Sequence, residues 1–300
     1  MTATLLLLLK AAVGVIILAI GMDSTLKDAS YLMRRPGLLS RSVLAMYVLV
    51  PLAAFALVKL VSLSPGVEIG LLVLAVSAGA PLLPRKLLRI GDGSYIFSLV
   101  LVSSLMAIVT VPAWLALLGP QFGSPLELAP TQVALVLAKS FLLPLAAGML
   151  LRWFLPAFSV RWASRLIGAA GLLLTVCALA LLALHWDVLL VASWGGVLAL
   201  MVLVALALAI GHTLSGPAYD DRTALAVACA SRHIGIAVLV ATSLPGPRTA
   251  VIVAMYIVAS ALVSIPYLRW RKAGQINSKS LPCQSGHEQG NSPNPTEREP

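Results

Sequence analysis

Apolar residues along this chain come in runs too long for the half-buried helix of a soluble domain and too continuous for an alternating strand. A helix needs roughly 20 apolar residues to cross the hydrocarbon core of a bilayer. Runs of that kind recur between short polar interruptions at about 4–22, 42–62, 67–83, 93–118, 131–154, 166–185, 188–211, 222–243 and 248–268. The ten-residue alternating segments of a membrane barrel are absent. The pattern predicts an all-α polytopic membrane protein with about nine transmembrane helices. The first run, TLLLLLKAAVGVIILAIG from residue 4, has no basic leader, carries Lys10 inside it and shows no small-x-small cleavage site, so a retained helix is expected there.

Two of the nine runs are interrupted. In LAVSAGAPLLPRKLLRIGDG, from Leu74, Gly79, Pro81 and Pro84 follow one another closely, and proline removes a backbone donor and clashes with the preceding turn. A helix break is expected near residues 79–84. In ACASRHIGIA, residues 228–237, Ser231, Arg232, His233 and Gly235 stand in the middle of the eighth run, and a second break is expected there. One interrupted segment in each half of a membrane chain is the pattern by which transporters expose backbone groups at a midplane site. Such backbone is tolerated at that depth only where it is buried in protein or lines a cavity, so the two breaks should face each other.

Arg232 is the chemically loudest residue. An ionised side chain near the bilayer centre costs at least about 2.5 to 3.5 kcal/mol, which makes an intramembrane arginine a functional candidate; the competing reading is a brace for a carboxylate or for broken-helix carbonyls. His233 could carry a proton at physiological pH or sit neutral in a packed interface. Ser98, Ser103, Ser104, Thr110 and Thr175 can each satisfy their hydroxyl on the carbonyl one turn earlier. Of these, Ser103 and Ser104 join Arg232, His233, Ser231, Gly79 and Pro81 as candidate substrate-binding positions.

Composition agrees with the pattern and adds an orientation. Of 300 residues 60% are hydrophobic and 11% charged, with a formal charge of +10. The basic residues alternate by loop. Lys27, Arg34, Arg35 and Arg41, then Arg85, Lys86 and Arg89, then Arg152, Arg161 and Arg165, then Arg222, then Arg269, Arg271 and Lys272 follow the odd-numbered spans, whereas the other loops hold only Lys59 and Arg248. Lys and Arg are retained on the cytoplasmic side, so the N-terminus is expected outside and the C-terminus inside an inner cell membrane. Headgroup electrostatics accounts for the basic charge, and no basic stripe interleaved with aromatics points to nucleic acid. From residue 273 the composition turns polar and rich in Pro, Ser, Gly and Asn, so residues 1–272 are expected to form the transmembrane domain and 273–300 a disordered cytoplasmic tail. Cys177, Cys229 and Cys283 have no pairing at metal or redox spacing.

Three blocks in order resemble the bile acid:sodium symporter family: GMDSTLKDASYLMRRPGLLSRSVLAMYVLVPLAAFAL at 21–57, the stretch from Ser77 through GDGSYIFSLVLVSSLMAIVTVP to Pro112, and the ASRHIGIA core. The resemblance runs over nearly the whole chain up to the tail. It implies a core domain containing two broken, crossing helices, a panel domain against which the core moves, and transport of small organic anions such as carboxylates or bile-acid-like solutes, usually with sodium. It also marks departures. Where the family has a Glu followed four residues later by Gln and Asn, this chain has Ala228, Arg232 and His233; where the family has Ser-Asn, it has Leu82 and Leu83; two hydroxyl ligands fall at Ile96 and Val100. Sodium takes oxygen ligands, which aliphatic side chains do not offer. A degenerate sodium site and uniport or proton coupling are therefore expected, with Arg232 supplying fixed positive charge to a carboxylate. No other cofactor or metal is expected.

A cation/proton antiporter of related architecture is the alternative, but it would place a carboxylate at the crossing, where only Asp92 is near a break and can equally cap a helix. A non-transporting membrane sensor would need an output motif in the tail, and none is evident. An intramembrane enzyme would need a nucleophile with its base or a metal motif such as HExxH, and neither occurs.

Overall fold

The structure, a computed structural model, describes residues 2–77, 93–118, 130–184, 193–232, 237 and 248–280. Every regular element among them is helical: α1 (Thr2–Asp23), α2 (Leu26–Ala29), α3 (Pro36–Leu60), α4 (Pro65–Val76), α5 (Gly93–Leu118), α6 (130–154), α7 (Pro156–Leu184), α8 (Ser193–Leu214), α9 (Tyr219–Ala230) and α10 (Arg248–Ser280). Among the described residues four stretches are long and apolar enough to cross a membrane: Pro36–Leu60, Ser94–Trp114, Pro156–Cys177 and Trp194–Leu214. Large side chains such as Leu172, Val176 and Leu179 on α7 point outward, as expected where lipid is the solvent. The protein is an integral membrane protein.

Two helices contain a wide π-helical turn immediately before a proline: Ala45–Leu49 ahead of Pro51 in α3, and Ala138–Leu142 ahead of Pro144 in α6. Pro51 has no N–H to offer the carbonyl of Tyr47, four residues earlier. That carbonyl instead accepts the indole Nε1–H of Trp114 on α5 at 2.9 Å. The proline thus trades a bond within α3 for one between helices.

α1 packs along α6 and α7, while α8 packs against α9 and α10, and α10 touches both α4 and α7. Glycines allow the closest approaches. A Cβ on Gly148 of α6 would lie 2.0 Å from the carbonyl oxygen of Leu18, and one on Gly211 of α8 would lie 2.5 Å from the Cα of Ala226 on α9. Small residues at such crossings let backbones meet where no hydrophobic force drives association. The link after α1 is held by Asp28, whose carboxylate accepts the Thr25 N–H at 2.8 Å, the Thr25 hydroxyl at 2.7 Å and the Ser94 hydroxyl of α5.

Two boundaries differ from the sequence reading. α4 ends at Val76, short of the expected 67–83, where Ser77 leaves helical geometry with ψ 47 and turns its hydroxyl back to the Val73 carbonyl at 2.7 Å; the expected break at 79–84 lies outside the described residues. α10 continues to Ser280, eight residues into the stretch assigned to the tail, since no proline follows Pro266 until Pro282. Residues 281–300 lie outside the described residues.

Candidate functional site

The site is built on two short helices of equal length. α4 and α9 each have 12 residues, each carries acid in its first turn, Glu68 in one and Asp220 with Asp221 in the other, and each ends at a serine. Residues 70–77 and 223–230 are buried without interruption, so both helix ends lie deep inside the protein. At the end of α9, Ser231 is extended (φ −86, ψ 144), with its N–H bonded to the Val227 carbonyl at 2.9 Å. The second expected break is therefore present, starting at Ser231.

The next residue joins the two ends. Arg232 is 2% exposed, and its Nη1 donates to the carbonyl oxygen of Ala75, in the last turn of α4, at 3.5 Å. Carbonyls of a final turn have no partner within their own helix and carry the negative end of its dipole. A guanidinium fits that end. The contact is long, however, and Nε and Nη2 of Arg232 are buried with no hydrogen-bond partner. Beside them, the hydroxyl of Tyr256 on α10 donates to the carbonyl of Ala230, so the guanidinium lies at a junction of α4, α9 and α10.

A cavity of about 530 Å³ opens from this junction between α7 and α10. Ser231, Arg232 and Tyr256 form its polar end; Ile167, Leu172, Ile265 and Leu268 are among its aliphatic walls. Gly168 and Gly171 of α7 also line it, and a Cβ at either would meet nothing within 4 Å, so they keep that wall open. Ser260 and Ser264 of α10 add hydroxyls along the same wall as Tyr256, at four-residue spacing. A buried cation at one end of an apolar cavity suits an anionic head joined to an apolar body.

The sequence candidates fare unequally. Arg232 and Ser231 are brought together at the cavity. Ser103 and Ser104 do not line it: the Ser103 hydroxyl donates to the Val100 carbonyl at 3.0 Å, and that of Ser104 is buried without a partner, unlike Thr110 and Thr175, which bond one turn back as expected. His233, Gly79 and Pro81 lie outside the described residues, as do Leu82, Leu83 and Asp92. Tyr256, Ser260 and Ser264 were not singled out from the sequence, although their i, i+4, i+8 spacing in an apolar helix was a legible signal. Ile96, Val100 and Ala228 are buried and carry no side-chain oxygen.

No curated protein matches the chain. The profile of the Sodium Bile acid symporter family matches residues 10–192, from within α1 to just before α8, taking in α4, the shorter helix that supplies the Ala75 carbonyl to Arg232. With well over half its length matched, the chain belongs to the Sodium Bile acid symporter family, whose members are membrane transporters and not enzymes.

Proposed function

We propose that the protein is a secondary transporter of small amphipathic organic anions, in which Arg232 stands in for the coupling cation. The observation that carries this reading is the buried guanidinium at the cavity's end, with Nε and Nη2 unpartnered and Nη1 at a long 3.5 Å from the Ala75 carbonyl. An arriving carboxylate or sulfonate supplies what those nitrogens lack, and the planar fork favours bidentate contact. The packing is compatible with alternating access, in which α1, α6 and α7 would serve as a panel and the helices around α4 and α9 as the moving core. The cavity between α7 and α10 lies at the seam of the two groups. Nine spans, an external N-terminus and a cytoplasmic C-terminus in the inner cell membrane complete the proposed topology, on the loop charges given above.

The test is equilibrium binding of tritiated taurocholate, an apolar body with a permanently charged sulfonate, to the purified protein in sodium or potassium chloride. Affinity is expected to be equal in the two salts. In Arg232→Gln it should fall roughly 10- to 150-fold, the range for losing a hydrogen bond to a charged group. Binding that needs sodium and ignores Arg232→Gln would sink the reading.

A further inference from the structure

Arg232 also bears on how the empty protein can move, given the anion-carrier reading above. Its guanidinium is 2% exposed, Nε and Nη2 have no partner, and no Asp or Glu is found among the described residues that line the cavity. The two buried carboxylates among the described residues lie elsewhere. Asp28 is engaged by Thr25 and Ser94, and Asp221 is in the first turn of α9, about 16 Å along the helix axis from Arg232 at 1.5 Å per residue. The end of α4 offers a partial negative charge, which offsets only part of a whole one.

From these placements we infer that the protein is an obligatory anion exchanger. In a state that opens the guanidinium itself to either side, water hydrates it. To change sides the carrier must pass through an occluded state, in which that water is excluded. With a monoanion bound, the sealed site is neutral. Without one, it seals an uncompensated charge in a low-dielectric interior. At the insertion cost of an intramembrane arginine, the empty carrier crosses slower than the loaded one by on the order of 10²-fold. An anion enters, then, only as another leaves. Because the loaded site is neutral and the empty one stays put, exchange of monoanions moves no net charge. A detachable cation has no such consequence, since a carrier that releases it can return empty and uncharged.

The experiment uses the full chain in proteoliposomes in potassium medium with valinomycin at zero potential. Initial uptake of tritiated taurocholate is compared between vesicles preloaded with unlabelled taurocholate and vesicles holding none. The expected result is a preloaded-to-empty ratio on the order of 10² that is unchanged when an inside-positive or inside-negative potential is imposed. Arg232→Gln should bring the ratio toward one, and Arg232→Lys should keep it, which tests the charge separately from the fold. Equal uptake into preloaded and empty wild-type vesicles, or exchange that follows the potential, overturns the exchange inference and leaves the anion-carrier reading standing. Binding without uptake into either kind of vesicle overturns transport itself. Absence of binding overturns the anion site and this inference with it.

Discussion

The two twelve-residue helices are alike in frame and opposite in chemistry. α4 and α9 have the same length, the same acidic start, the same serine at the end and the same continuous burial of their last turns. Yet α4 ends in accepting carbonyls, with Ser77 folded back on Val73, whereas α9 ends extended and delivers a guanidinium to Ala75. A pair of helix ends that meet inside a membrane needs some positive charge to satisfy carbonyls that no longer have backbone partners. Here one end supplies it covalently to the other. The difference teaches that a side chain can bring positive charge to the carbonyl end of a buried helix.

The neighbouring helices set how firmly each end is held, and this gives the largest expected effect. Gly211→Ala would place a Cβ 2.5 Å from the Ala226 Cα and 2.6 Å from the Leu225 carbonyl, both backbone atoms of α9. Gly70→Ala on α4 would meet the Cγ2 of Ile252 at 2.5 Å, a side chain that can shift. Overpacking costs about 1 to 3 kcal/mol, and Gly211→Ala is expected at the top of that range with Gly70→Ala nearer the bottom. Thermal unfolding in detergent of the two variants checks the order; a reversed order would mean that α9 is the more loosely held.

A smaller effect should separate the cavity from the charge. At Gly171 a side chain finds open space, so Gly171→Leu is expected to leave stability within about 0.5 kcal/mol while narrowing the room between α7 and α10. Taurocholate binding should weaken several-fold while a short alkanesulfonate still binds in the Arg232-dependent manner. Equal weakening for both would place the anion elsewhere. Smallest of all, Ser77→Ala removes a bond that only returns a hydroxyl to its own helix, and its cost should not exceed about 1 kcal/mol. A larger loss, read by the same unfolding assay, would show that Ser77 helps hold the end of α4 in place.

Much of this was legible in the chain because membranes constrain sequence strongly. Apolar run length marked the helices, and Arg232, expensive at that depth, marked the site. What escaped was geometry set by neighbours. The π-helical turns before Pro51 and Pro144 depend on where displaced carbonyls find new donors, as Tyr47 does in Trp114. The early end of α4 falls at a serine whose N–H and hydroxyl both turn back to Val73, and Ser104 departs from the back-bonding of Ser103 and Thr110. Tyr256 and Ser260 belong to the cavity only because α10 lies against the end of α9.

By itself, then, the sequence determined the solvent, the helical class, the family, the presence of a second break at Ser231 and the identity of the buried cation, since each follows from local composition and the cost of leaving water. Only the tertiary structure decided that the cation after α9 reaches the carbonyl end of α4 and that two of its nitrogens stay buried and unpartnered at the end of a cavity. That arrangement joins residues 157 positions apart. No local pattern encodes it, because it arises from the close glycine crossing of α8 on α9 and from α10 packing between α4 and α7.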